Sequence, residues 1–236
     1  MSKWKKEFPP HKAVARRPKC LFTMKIAIVI LTIIFFSISC EKNAIISLKN
    51  TNQNKIIALQ PLGEYNEQQL ASVLNEISKF FNTRVIILPS VQIPETFRSI
   101  NEEKYSADSL VSFLSKFKND TIVEVVGLTH NDIYTIREHQ IRLNNELSVF
   151  YELRGIFGLG YMSGNSSVIS DYRLMSNDKA LLNNRLRKVI IHEIGHNLGL
   201  PHCSDDLCLM SEANGNIATL NKVGGDYCIH CKRKLN

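Results

Sequence analysis

The chain has 236 residues, 44% of them hydrophobic and 22% charged, which is room for one ordinary domain with a sizeable core and some sequence beyond it. Its formal net charge of +7 invites nucleic acid or an acidic surface as partner. The distribution removes that reading: residues 1–25 hold eight Lys or Arg against one acid, Glu7, and the other 211 residues carry 21 basic and 21 acidic side chains.

Met24 opens the run M-K-I-A-I-V-I-L-T-I-I-F-F-S-I-S-C, in which Lys25 is followed by fourteen uncharged, mostly apolar residues, Ile26 to Ser39. A bilayer-spanning helix needs roughly 20, so the run is short for an anchor and suits the core of a signal peptide. It ends on small residues before Cys40 and resembles the lipobox of bacterial lipoproteins, with Ser37 where Leu is usual. The resemblance implies cleavage before Cys40, acylation of its thiol and new amino group, and an exported lipoprotein of the bacterial cell envelope, membrane-bound through that anchor. An uncleaved signal anchor and simple secretion stay open. Residues 1–23, with Pro9, Pro10 and seven basic residues, have no evident structural role, which points to Met24 as the true start. The expected organisation is a leader over 1–39, Cys40 and a polar tether to residue 53, and one folded domain over 54–236.

Within that domain Lys55–Leu62 reads as a strand closed by Pro61 and Gly63. Asn66–Phe81 follows as a helix with Leu70, Val73, Leu74, Ile77, Phe80 and Phe81 at helical spacing. Arg84–Leu88 is a short apolar strand, Ser106–Phe117 a helix capped by Ser106, and Thr121–Leu128 a strand again. Such alternation predicts an α/β sheet with parallel neighbours. Gly155–Tyr161 and Ser167–Ser170 read as two more strands, joined as an antiparallel hairpin by the M-S-G-N-S-S turn, so the sheet is mixed. The longest helical pattern is Asp178–Leu198.

That helix carries V-I-I-H-E-I-G-H-N-L-G-L-P-H. His192 and His196 lie four apart, on one helix face, with Cβ atoms roughly 6 Å apart, so both imidazoles can reach one ion. Gly199 can adopt the left-handed conformation that ends a helix, Pro201 forbids its continuation, and the returning chain can present His202 as a third ligand. Three neutral nitrogens with one open position describe a catalytic zinc site, and zinc lowers the pKa of a bound water to about 7. Glu193, beside the first ligand, is placed to take that water's proton and return it to a leaving amine.

Beyond the third histidine the sequence runs C-x4-C-x-M-x17-C-x2-C, through Cys203, Cys208, Met210, Cys228 and Cys231. H-E-I-G-H-N-L-G-L-P-H is similar to the metzincin signature, and with the cysteines the pattern over Val189–Lys232 resembles that of the archaemetzincins. G-L-T-H-N-D-I-Y at 127–134 and G-I-F-G-L-G-Y at 155–161 look like strand segments of the same family. The resemblance implies a metzincin-type α/β domain with an active-site helix and a small cysteine-rich C-terminal subdomain. It also implies a tight turn at Met210 beneath the histidines, and two zinc ions per chain. His192, His196 and His202 would hold the catalytic ion and Cys203, Cys208, Cys228 and Cys231 a structural one. In an extended segment neighbouring side chains point opposite ways, so His202 and Cys203 can serve different ions. From the residues alone, two disulfides are the alternative use of these cysteines, and His230 reads as solvent-facing.

The implied activity is hydrolysis of peptide bonds, aminopeptidase-like in much of the family, on a peptide or protein substrate laid antiparallel along an edge strand. By position Ser167–Ser170 is the candidate edge, after the turn at Gly164 and Asn165. Tyr172 is a candidate for steadying a tetrahedral intermediate, because Glu212 stands where some metzincins carry a tyrosine after the methionine. The rival reading is a two-zinc scaffold without turnover.

Overall fold

The computed structural model describes residues 55–100, 103–143 and 146–235. The leader, Met24, Cys40 and the tether lie outside them. In chain order the strands are β1 Ile56–Leu62, β2 Arg84–Ile87, β3 Tyr105–Ser106, β4 Ile122–Thr129, β5 Ile133–Leu143, β6 Glu146–Ile156, β7 Gly158–Gly160 and β8 Ser166–Ser170. The helices are α1 Glu67–Phe81, α2 Ala107–Leu114, α3 Lys179–Asn197, α4 Ile217–Lys222 and α5 Ile229–Leu235.

Each of the three longer helices starts where a polar side chain can satisfy its free N–H groups. Asn66 Oδ1 accepts from Gln68 N and Gln69 N at 2.9 and 3.2 Å. Ser106 Oγ accepts from Ser109 N at 3.2 Å, and Asp178 Oδ1 from Ala180 N and Leu181 N at 2.8 and 3.2 Å. α1 ends at Asn82 with φ 47°, the left-handed turn that small polar residues tolerate.

The main sheet has the order β2-β1-β4-β8-β7; its first four strands are parallel, and β7 runs antiparallel to β8. Alternation divides the core. Ile57, Leu59, Val126, Leu128 and Ile169 pack toward α1 and α3, while Ala58, Val125 and Val168 pack toward Leu110, Val111 and Leu114 of α2. With both faces covered, the central strands are apolar throughout, as buried parallel strands are. α3 is enclosed in mid-course: Val189, Ile190 and Ile191 are consecutive and all buried, because the sheet and α1 cover one side and the C-terminal segment the other. The mixed α/β sheet and the β7–β8 hairpin agree with the sequence reading.

Three features correct it. The single strand expected over Gly155–Tyr161 is divided at Phe157 between β6 and β7. β5 and β6 form an antiparallel hairpin of eleven residues a side, joined by β3 into a second sheet. Many of its apolar side chains, among them Ile136, Leu147 and Tyr151, face solvent, so no buried stripe announces it. Ser167–Ser170 is not an edge: β8 is buried along its length, between β4 and β7. Its serines look solvent-facing but are satisfied inside, Ser166 Oγ on Val111 O at 3.0 Å and Ser170 Oγ on Asn131 O at 2.6 Å. At this end of the sheet the edge strand is β7, as β2 is at the other.

Glu124, on β4, is buried under α3 and accepts from Asn197 Nδ2 at 2.5 Å and Ser167 Oγ at 3.4 Å. It ties the last residue of α3 to the sheet. Burial pushes its carboxyl up to about 8, against the two hydrogen bonds, which lower it. A folded-state value above the unfolded one means the contribution is full below about pH 4.5 and lost as pH rises through about 8. Glu124→Gln keeps the shape and drops the charge. Urea unfolding at pH 5 and 8.5, in matched chelator, is expected to show the variant gaining on the parent by on the order of 2–4 kcal/mol across that interval. A pH-independent difference would contradict the assignment.

Candidate metal centres

α3 ends where the local sequence dictates. Gly199 takes φ 90°, Gly199 N donates to His196 O at 2.8 Å and Leu200 N to Gly195 O at 2.9 Å, so the freed carbonyls are capped as the chain turns back. Pro201 follows, and His202 returns to within 4.8 Å, donor atom to donor atom, of His192 and His196.

The two helical rings are fixed from behind. Nδ1 of His192 lies 2.6 Å from Leu209 O, and Nδ1 of His196 lies 2.8 Å from Leu200 O. A carbonyl only accepts, so each Nδ1 carries the proton and each Nε2 presents a bare lone pair. Those two lone pairs face one another at 3.1 Å. Two acceptors at that distance repel unless a cation lies between them, and nitrogens on a tetrahedral zinc at about 2.0–2.1 Å would stand about 3.3–3.4 Å apart. Burial pushes His192 down to about 4, with its neighbours His196 and His202 adding to the effect, and burial likewise lowers His196. The donor set fits a zinc ion.

Glu193 is buried on the other side of the same turn, its carboxylate held by the Gly160 N–H; burial pushes it up to about 8. Its seat depends on glycines. A Cβ at Gly158 would come 2.9 Å from Glu193 Cγ, and one at Gly160 would come 2.6 Å from Glu193 O. β7 therefore lies directly on the helix at this residue. Alternating glycines in a strand mark close backbone approach, and G-L-G at 158–160 was the sequence feature that could have located it.

Cys203, next to His202, points the other way. Cys203 Sγ lies 3.7 Å from Cys228 Sγ, Cys208 Sγ lies 3.7 Å from Cys231 Sγ, and all four sulfurs are unbonded and within 4.8 Å of one another. Thiolates on a tetrahedral zinc at about 2.3 Å stand about 3.8 Å apart. Cys208 Sγ also accepts from Cys228 N at 3.2 Å and Met210 N at 3.5 Å, which suits a negative sulfur. Cys203 N donates to Met210 O at 2.8 Å, so one short segment links the histidine and cysteine clusters with the turn carrying Met210. Met210 is fully buried against Gly195, below the histidines.

A model of peptidase family M54 matches residues 46–236. The chain belongs to that family, the archaemetzincins. It is a zinc metallopeptidase by that membership. Archaemetzincin of Haloquadratum walsbyi is 26% identical over 189 residues, covering 76% of this chain and 99% of the relative. Archaemetzincin of Archaeoglobus fulgidus is 27% identical over 179 residues, covering 76% and 98%. The crystal structure of the A. fulgidus protein, complexed with malonate, superposes with a TM-score of 0.61 over 76% of this chain and 99% of that one. The Methanopyrus kandleri archaemetzincin, 23% identical, shares the fold with a TM-score of 0.64 over 80% and 97%.

In this M54 chain the histidines and Glu193 open on a cleft of about 540 Å³, walled by β7, Tyr161 and the segment after Met210. Tyr172 is exposed in a separate turn and does not line the cleft; Tyr161 does. Glu212 lines it too, 3.8 Å from His202 Nδ1. His230 is exposed and lies outside the thiol cluster. The sequence reading passed over Lys188, one turn before His192. It is buried, and its ammonium donates to Leu220 O, Asn221 O and Val223 O at 3.1, 3.3 and 2.5 Å, closing the cleft's inner end by capping α4.

Gly195 is the tightest contact in this arrangement. A Cβ there would lie 2.4 Å from Met210 Sδ and 2.8 Å from the Tyr227 hydroxyl, itself bonded to Ile191 O at 2.6 Å. Gly195→Ala is expected to destabilise by about 1–3 kcal/mol in urea unfolding, and by less when Met210→Ala is already present. Equal losses in both backgrounds would show that Met210 does not set the spacing.

Proposed function

We propose that this archaemetzincin hydrolyses peptide bonds with Glu193 as general base at a zinc held by His192, His196 and His202, while Cys203, Cys208, Cys228 and Cys231 hold a second, structural zinc. The convergence of two proton-free Nε2 atoms at 3.1 Å, beside a buried carboxylate, carries the reading. Zinc bound there supplies Lewis-acid chemistry, polarising a carbonyl and bringing the pKa of water to about 7.

The chain's own residues do the rest. Leu209 O and Leu200 O keep both helical imidazoles in the ligating tautomer. Glu193, steadied by Gly160 N–H, takes the proton of the attacking water and passes it to the departing amine. β7, with its free side on the cleft, takes the role of pairing with the substrate backbone. Cys203, Cys208, Cys228 and Cys231 would hold the second zinc and through it tie the segment from His202 to Met210 to α5.

Elemental analysis of folded protein is expected to give two zinc per chain, and Glu193→Gln to lower turnover of a peptide library by at least about a hundredfold with zinc content unchanged. Full activity in that variant would refute the base assignment. A parent that binds zinc and cuts no peptide would leave the scaffold role.

We also propose that Cys40 is acylated and holds the domain at a bacterial cell envelope, supported by the basic, apolar, small-residue sequence that leads to it. Cys40→Ser should move the protein from the membrane to the soluble fraction and abolish incorporation of a labelled fatty acid. Unlabelled wild-type protein would exclude the anchor.

A further inference from the structure

The cleft contains two cations, Lys188 and Arg154, in very different states. Lys188 is sealed, with three carbonyls around its ammonium. Arg154, near the end of β6, is half-buried in the cleft wall, and among the described residues its polar partner is the neutral Asn214, Nη2 to Oδ1 at 3.2 Å. No carboxylate among the described residues neutralises it. The nearby acids are engaged elsewhere: Asp132 holds Arg173 at 2.6 and 2.7 Å, and Asp108 holds the Tyr161 hydroxyl and Thr135 Oγ1. Glu193 is held by Gly160, and Glu212 stands beside His202.

A guanidinium presents five donors in a planar fork that matches a carboxylate. One that is partly desolvated and lacks a counter-ion gains by recruiting an anion. The same cleft has apolar walls as well, formed by Ile156, Val189, Ala213, Leu220 and Val223. We propose that Arg154 is a specificity-determining residue, which binds a carboxylate of the substrate beside an apolar side chain seated in that pocket. The proposal rests on the peptidase reading above and adds the substrate class. The carboxylate has two sources, a free carboxyl terminus or an acidic side chain.

The test measures binding without turnover, in full-length, zinc-loaded Glu193→Gln protein, by calorimetry. The probes are an acetylated Leu-containing peptide with a free carboxyl terminus, its amide, and the amide carrying one Glu or one Gln after the Leu. At least one carboxylate probe is expected to bind about tenfold more tightly than its neutral twin, and which one does so names the source. Adding Arg154→Gln should bring that ratio to about one, with zinc content and melting behaviour unchanged. Equal binding of both twin pairs, or a preference that survives Arg154→Gln, overturns the proposal. Failure of the peptidase reading would appear separately, as absence of cleavage by the chain with Glu193 intact.

Discussion

The end of α3 and the segment after it are arranged around two clusters of metal-ligating atoms. His192 and His196 donate backward to carbonyls and turn bare nitrogens to a shared point, and beyond His202 four sulfurs converge within 4.8 Å of one another. The facing imidazole nitrogens repel as neutral groups, and a cation between them would remove that cost. α4 has six residues and α5 seven, too short to persist by their own hydrogen bonds. The apolar contacts of Leu220, Tyr227 and Leu235 with α3 help to hold them, but the atoms that tie Cys203 and Cys208 to Cys228 and Cys231 are sulfurs. On this reading metal affinity is part of the folding free energy of that segment.

Steric room does for the base what electrostatics does for the ligands. Glu193 sits where β7 can approach because residues 158 and 160 lack side chains, and α3 rests on Met210 because residue 195 does. These three glycines thus set the heights of the strand above and the turn below the helix. If Glu193 is the proposed base, it needs both, since a carboxylate free to swing would lose the proximity on which proton transfer depends.

What the sequence disclosed follows from which interactions are local. Histidines at i and i+4, a glycine and proline that end a helix, the cap at Ser106 and the helix starts at Asn66 and Asp178 are decided within a few residues, and all are legible. Strand order is not local. Position in the chain points to Ser167–Ser170 as the edge, but β7 folds back beside β8 and the β8 hydroxyls bond to Val111 O, Glu124 and Asn131 O inside the fold. The β5–β6 hairpin escaped for another reason, with apolar residues left in solvent and no buried stripe to read. Arg154 and Lys188 are equally silent in the sequence, because their polar partners, Asn214 and the carbonyls of 220–223, lie more than thirty residues away.

His202 and Cys203 are adjacent, yet the two centres they serve are chemically unlike, and the donor charges explain why. Three neutral imidazoles on the cleft wall would leave a divalent ion its full double charge. Four thiolates would give the same ion a net double negative charge and a complete tetrahedral set. Lewis acidity would therefore belong to the histidine side alone, whatever the affinity of the cysteine side. The adjacency adds geometry: because Cys203 N is fixed to Met210 O, an ion held by the cysteines would also fix the backbone that presents His202. The third imidazole could then be positioned from a half-exposed loop without further contacts on the cleft's open face.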